Sequence, residues 1–320
     1  MVEISVWLEG VYDLWPTLRP LQRGAADPTM VRDQTGIWRG LLTPEGAASM
    51  RIQPRVERSG VSIRVHTYGP GAAWAARTAP DLFGANDKPD TFRMKLVGLR
   101  QDKGWSAEQQ LAIEFVAREY LRTSWRLPRS HGVWEALLAA VLEQKVTSKE
   151  SIGAWRALTC DFGDLAPGPV PVGLRVPPTP RQVRRVPSWR WRRMAVDRPR
   201  SDTLMRLCRM ESALARLSQL ELSKARTVLT NVRGVGDWTY AELAQRALGD
   251  ADAVSVGDYH LARMVTYSIL GRNDGTDQQM LHLLQPFAGD RYRAVRMIEL
   301  VGRMPPRRGP RMSIPSYRYG

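Results

Sequence analysis

The segment Leu229-Thr230-Asn231-Val232-Arg233-Gly234-Val235-Gly236-Asp237-Trp238-Thr239 holds the residue types best suited to chemistry. A helical stretch rich in Leu, Ala and Arg runs into Gly-Val-Gly, and a second helix leaves at once through Asp237-Trp238-Thr239-Tyr240-Ala241-Glu242-Leu243. Two glycines flanking one apolar residue let the backbone turn sharply. They also leave unpaired N–H groups at the positive end of the second helix, where a phosphate fits. Read alone, Gly-x-Gly between helices is a weak signal that reads as a plain tight turn. About twenty residues on, Val254-Ser255-Val256-Gly257-Asp258-Tyr259-His260-Leu261 places a carboxylate where a further helix begins. By itself Asp258 reads as a helix N-terminal acid, favoured there by the dipole and by capping.

These residues need elements to hold them, and the rest of the chain supplies a sheet followed by helices. The 320 residues are enough for about two domains. Lys plus Arg number 47 against 32 Asp plus Glu, a net charge of +15, while 43% of residues are apolar. A basic globular chain of this kind implies a polyanionic partner, nucleic acid before anionic membrane, because each neutralised phosphate releases counterions. The preponderance of Arg over Lys suits bidentate phosphate contacts and equally follows from a GC-rich genome. Cys160 and Cys208 cannot build a four-cysteine cluster or a disulfide framework. The first residues, Met1-Val2-Glu3-Ile4-Ser5, lack the pattern of a signal peptide, and no run of about 18 apolar residues follows. The expectation is a soluble, cytoplasmic protein with no membrane partner.

Period-two patterning dominates residues 1 to about 70, clearest at Val61-Ser62-Ile63-Arg64-Val65-His66, and predicts a half-buried antiparallel sheet. Helical periodicity begins near Ala72–Leu82 and recurs over Ser106–Arg122 and Trp134–Leu158. Ala166-Pro167-Gly168-Pro169-Val170-Pro171 and Pro177-Pro178-Thr179-Pro180 read as a connection between two helical lobes. Further helices are predicted over 201–215, 219–230, 238–247, 258–270 and 277–300, with a basic, Pro-rich tail from Arg303 to Gly320.

The combination resembles the helix-hairpin-helix (HhH-GPD) DNA glycosylase superfamily, whose signature is such a hairpin followed at this distance by an Asp starting a helix. Within it the chain is similar to the 3-methyladenine DNA glycosylase II branch. Trp134-Glu135-Ala136-Leu137-Leu138-Ala139-Ala140-Val141-Leu142-Glu143-Gln144-Lys145-Val146 looks like the family helix that ends in a Gln beside the lesion. The resemblance implies an α+β chain. A small N-terminal antiparallel β-sheet (TBP-like) domain spans 1–95, a two-lobed, mainly helical glycosylase core spans 105–302 with its hairpin at 229–240, and the tail spans 303–320.

The resemblance also implies an activity, hydrolysis of the N-glycosidic bond of an alkylated base of the 3-methyladenine or 7-methylguanine type. The base is flipped out of duplex DNA for excision repair. Asp258 would be the catalytic carboxylate, stabilising an oxocarbenium-like sugar and orienting the attacking water. Bifunctional relatives carry a nucleophilic Lys where this chain has Trp238, so a monofunctional enzyme is expected, with Trp238 offering its indole to a cationic base. Phe287, Glu242 and Tyr240 are the other pocket candidates, and Gln144, Lys145, Arg233, Gly234, Val235, Gly236 and Thr239 the DNA-binding ones. Three departures stand out. Lys145 occupies the place of an apolar wedge, Glu242 that of an aromatic, and Asp237 puts an acid beside the hairpin. Glu242 either enters the pocket to read an exocyclic amine or is an exposed helix acid. Between 181 and 200 there are eight Arg, interleaved with Trp189 and Trp191, a composition suited either to gripping DNA or to packing two core tryptophans. No catalytic metal or cofactor is expected, though a hairpin of this kind could hold a monovalent cation, Na+ or K+, that bridges its carbonyls to a phosphate. A monomer is expected. The other readings are a glycosylase-lyase for oxidised bases and a non-catalytic DNA-binding protein on the same scaffold.

Overall fold

The computed structural model describes residues 1–306, so the tail expected from Arg303 lies almost wholly outside the described residues. Alternation in the first seventy residues produces five strands: β1 Val2–Glu9, β2 Met30–Asp33, β3 Gly36–Thr43, β4 Gly46–Val56 and β5 Gly60–Tyr68. They form one antiparallel sheet in the order β1-β5-β4-β3-β2, with Val6 opposite Ile63 and Ile52 opposite Val65. Val61, Ile63 and Val65 share a buried face as their spacing predicts. Helix α1 (Leu14–Leu18) and helix α2 (Ala72–Leu82) contribute Leu14, Leu18, Ala75, Ala79 and Leu82 to the core on that face.

The remaining helices are α3 Pro89–Gln101, α4 Ala107–Tyr120, α5 Val133–Glu143, α6 Ser148–Phe162, α7 Pro180–Val183, α8 Ser188–Arg193 and α9 Arg198–Cys208. They continue with α10 Glu211–Leu217, α11 Leu222–Thr230, α12 Asp237–Leu243, α13 Leu261–Leu270, α14 Asp277–Leu284 and α15 Arg291–Val301. They build two cores. One runs continuously from Val133 to Ala253 and joins α5 to α12. The other pairs α3 and α4 with α13, α14 and α15.

This partition corrects three expectations. The Pro-rich stretch does not connect the lobes, because the segments on both sides of it, α6 and α7 to α9, belong to the same core. Instead it straps the far face of the sheet, where Ala166, Leu174 and Val176 pack with Trp38 and the Arg175 N–H donates to the Pro28 carbonyl at 2.8 Å. Proline clusters report irregular backbone, not the cores their flanks join. The sheet domain also ends before 95, since Phe92 and Leu96 of α3 are buried in the second helical core. Finally, the helices expected over 134–158, 201–215 and 277–300 are each broken, the last at the 3-10 turn Gln285–Phe287.

The sheet domain is held against α5 and α6 by buried polar links. Arg39 of β3 pairs with Glu135 of α5 at 2.7 Å, both side chains at most 10% exposed. Asp27 accepts from the Trp155 indole of α6 at 3.0 Å, and Arg23 pairs with Glu143 at 2.9 Å. Helix α5 is thereby fixed at both ends, and its last turn points into the site.

Candidate active site

The hairpin between α11 and α12 is shaped by one close approach. Gly234 has φ +96°, and a Cβ there would lie 2.1 Å from the Thr203 hydroxyl of α9. Only glycine satisfies both constraints. The Gln144 amide at the end of α5 crosses to the same turn, donating to the Gly234 carbonyl at 2.9 Å and to the Thr239 hydroxyl at 2.8 Å. Arg206 donates to the Arg233 carbonyl at 3.1 Å. Gly236 precedes α12 as its N-cap with no side-chain cap, and it is exposed. Among the described residues no backbone acceptor meets the N–H groups of Gly236, Asp237 and Trp238. Asp237 is not aimed at them: it pairs with Arg226 of α11 at 2.7 Å across the hairpin, both side chains exposed.

Asp258 lies where the chain crosses from one helical core to the other. Ala253 is the last residue in the first core, while Val254 and Val256 pack on the second. Ser255 to Asp258 form a turn closed by the Asp258 N–H donating to the Ser255 carbonyl at 3.2 Å, with Gly257 at φ +85° in its third position. The Asp258 Oδ1 accepts from the His260 and Leu261 N–H groups at 2.8 and 2.9 Å, at the start of α13. Its Oδ2 accepts from the Trp238 indole at 3.2 Å. Both side chains are half-buried. This hydrogen bond joins the hairpin helix to the crossing loop, and a capping role and a place at the junction coexist in the Asp258 carboxylate.

No family model matches the chain, and no curated protein matches it. Solved structures do. The 3-methyladenine DNA glycosylase from Archaeoglobus fulgidus aligns with a TM-score of 0.71 at 16% identity, over 93% of this chain and 98% of that one. The 8-oxoguanine glycosylase/lyase from Clostridium acetobutylicum, in its apo form, aligns with a TM-score of 0.63 at 12% identity, over 92% and 95%. The same protein in complex with dsDNA containing cytosine opposite 8-oxoG gives 0.62 at 11% identity, over 91% and 96%. The chain has the fold of the helix-hairpin-helix DNA glycosylases.

On that fold the candidate residues separate into those at the junction and those elsewhere. Asp258, Trp238, Gly234, Gly236 and Gln144 meet around the hairpin. Arg233 is exposed on it, and Lys145 is exposed at the tip of the loop after α5, with φ +54°. Phe287 is corrected. It is fully buried among the second core's side chains, with its ring centroid 6.4 Å from that of Phe92, because the turn around Pro286 directs it inward. Tyr240 is corrected too, being buried between α11 and α12 with its hydroxyl donating to the Leu222 carbonyl at 3.1 Å. Val235 and Thr239 have buried side chains, so only their backbone groups could meet a ligand at the hairpin. Glu242 does not stand open to a base. Its Oε2 pairs with Arg246 at 2.6 Å and its Oε1 accepts from Ser255 at 2.6 Å.

In the basic stretch, Trp191 is a core residue, whereas Trp189 is 58% exposed with the Arg193 guanidinium over its ring. The hairpin does not fit a cation at Arg233 and Gly234. The first carbonyl faces the Arg206 guanidinium and the second the Gln144 amide, so a cation would meet like charge at one and displace a donor at the other. Among the described residues no group of three or more His, Cys, Asp or Glu is placed to hold a metal ion. None of their helices is long and apolar enough to cross a membrane. Sequence reasoning missed Thr203, Arg206, Ser255 and Gln245 as parts of the site. None of the four stands out by type or spacing in the sequence, since each is a common polar residue whose partner lies on another segment.

Proposed function

We propose that this chain is a monofunctional DNA glycosylase that releases alkylated bases, of the 3-methyladenine and 7-methylguanine type, from duplex DNA. The observation that carries the reading is the bond between the Trp238 indole and the Asp258 carboxylate. Cleaving the bond between base and deoxyribose builds positive charge on the sugar, so a fixed anion lowers the barrier. Three N–H donors, from Trp238, His260 and Leu261, hold the Asp258 carboxylate and complement its charge. The carboxylate then needs no reorganisation as the sugar becomes cationic, and its remaining lone pairs are available to orient water. The N–H groups of Gly236, Asp237 and Trp238, which meet no backbone acceptor among the described residues, would offer a phosphate of the flanking strand their hydrogens. In this reading Lys145, at an exposed loop tip, would fill the space left by a rotated nucleotide with its stem and reach a phosphate with its head.

Hydrolysis rather than strand cleavage is supported by the residue at 238. An indole forms no imine, so water is the nucleophile. A base already carrying positive charge leaves as a neutral molecule. That suits a site with one carboxylate and one aromatic and, with Glu242 engaged by Arg246 and Ser255, no free acid on α12.

The test is release of free bases from methylated duplex DNA by the wild-type protein and by Asp258→Asn, beside a binding measurement at stated salt. Release is expected to fall about 100- to 1,000-fold in the variant, with binding retained. Equal release by both removes Asp258 from the mechanism, and binding without release by the wild type overturns the enzymatic reading. Strand cleavage that disappears in Lys145→Ala overturns the monofunctional assignment.

A further inference from the structure

We infer that Ser255 and Glu242 are positioning residues for Asp258, setting the turn that carries it; the inference rests on the proposed role of that carboxylate. Between Gly249 and His260 the chain has no helix or strand, so no regular ladder fixes where Asp258 comes to lie. Side chains do so instead. The buried Ser255 hydroxyl donates to Glu242 Oε1 at 2.6 Å and accepts from Gln245 Nε2 at 3.0 Å. The same amide donates to the Ala253 carbonyl at 3.0 Å. Gln245 reaches the loop from a π-helical turn, Ala244–Leu248, whose wider spacing continues α12. Glu242 is braced in turn by Arg246, which also donates to the Pro20 carbonyl of the sheet domain at 3.1 Å. On the far side, the Gly257 N–H donates to Asp277 at the start of α14, at 2.9 Å.

The link to the carboxylate is short. The Ser255 carbonyl receives the Asp258 N–H, so displacing Ser255 moves the residue that closes the turn. Its hydroxyl is the point at which α12, which carries Trp238, grips the loop that carries Asp258. Trp238 and Glu242 lie four residues apart on that helix, on one face. The helix thus holds the loop twice, through Trp238 at the carboxylate and through Glu242 one turn further along. A misplacement of about 1 Å at a reacting group costs roughly 100-fold in rate. Glu242 therefore acts on the reaction through Ser255 rather than by reading the base.

Single-turnover base release from methylated duplex DNA tests this, read beside the Kd for a duplex with an abasic-site analogue and the thermal midpoint. Ser255→Ala removes one oxygen and is expected to slow release about 30- to 100-fold, with Kd unchanged within about twofold. Ser255→Thr, which keeps the hydroxyl, should recover most of the rate. Glu242→Ala should slow release similarly, and the double variant should be no slower than the slower single one, because both cut the same link. Wild-type release by Ser255→Ala, or multiplying losses in the double variant, overturns the inference. If Ser255→Ala loses its cooperative melt, the comparison of Ser255→Thr with Glu242→Ala decides. Wild-type release by both overturns the inference, and loss confined to Glu242→Ala with an unchanged Kd supports it. Asp258→Asn separates the two levels: if it releases base normally the proposed function fails, whereas if it is inactive and Ser255→Ala is not, only the positioning role fails.

Discussion

At the scale of single residues, the tryptophan at 238 has two separable uses, as a ring and as a donor. In the proposed reaction its face would stack on the base, while its N–H serves the Asp258 carboxylate at 3.2 Å. Trp238→Phe keeps an aromatic ring and deletes the donor. A hydrogen bond to a charged group contributes about 1.5 to 3 kcal/mol, so base release should slow by roughly 10- to 100-fold while binding of an abasic duplex is little changed. Full activity in single-turnover assays of Trp238→Phe would mean that stacking alone matters. The two partners were individually legible in the sequence, one from its place after Gly-Val-Gly and the other from its place before a helix. Their bond was not, since nothing in a one-dimensional spacing fixes which edge of an indole faces a carboxylate twenty positions away. Phe287 and Tyr240 failed for the related reason that aromatic type fits a pocket wall and a core equally well.

Elements are where the sequence was most readable, and where its errors have a common cause. The period-two runs became strands and the hairpin turn fell where glycine spacing put it, whereas breaks such as Gln144–Thr147 within an expected helix were invisible to periodicity. That break matters: it ends α5 where Gln144 can cross to the hairpin, and it leaves Lys145 at a loop tip with φ +54°. The hairpin turn itself gives a sharp prediction. Gly234→Ala places a methyl 2.1 Å from the Thr203 hydroxyl in a left-handed backbone, and it should cost about 2 to 3 kcal/mol and weaken DNA binding. Thr203→Ala removes the clash and leaves the backbone strain, so the double variant should recover part of the loss in thermal unfolding. Additive losses would show that the contact does not shape the turn. Helix α2, on the sheet, gives a pH signature. Burial opposes ionisation of Asp81, but bonds from Asn86 and His131 prevail and hold its carboxyl below the ordinary value of 3.8. A depressed carboxylate contributes stability that is present above the unfolded value and lost as pH falls through the folded one. Asp81→Asn should therefore flatten the acid limb of the stability profile below about pH 4, and an unchanged limb in denaturant titrations would exclude this group as its source.

For the whole molecule, the consequence of two helical cores and one sheet is that the site is assembled from parts the chain visits far apart. The division into lobes was not legible because the second core joins residues near 90–127 to residues beyond 254, and local patterns carry no information about such closure. The sheet domain enters this assembly through α5, whose one end pairs Glu135 with Arg39 and whose other end sends Gln144 to the hairpin. Removing one partner of a buried ion pair leaves an uncompensated charge and costs about 3 to 5 kcal/mol. Arg39→Met should therefore lower the thermal midpoint by several degrees. If α5 transmits the displacement, it should also raise hydrogen exchange at the hairpin, whereas Arg39→Met/Glu135→Leu, which replaces the pair by apolar groups, should restore both. The lengths of contact argue for that coupling: α5 is a rigid rod of three turns, and a rigid rod cannot tilt at Glu135 without moving Gln144. Exchange that rises only in the sheet, with the hairpin unaffected, would mean that the two halves are braced independently and that the sheet serves stability rather than the site.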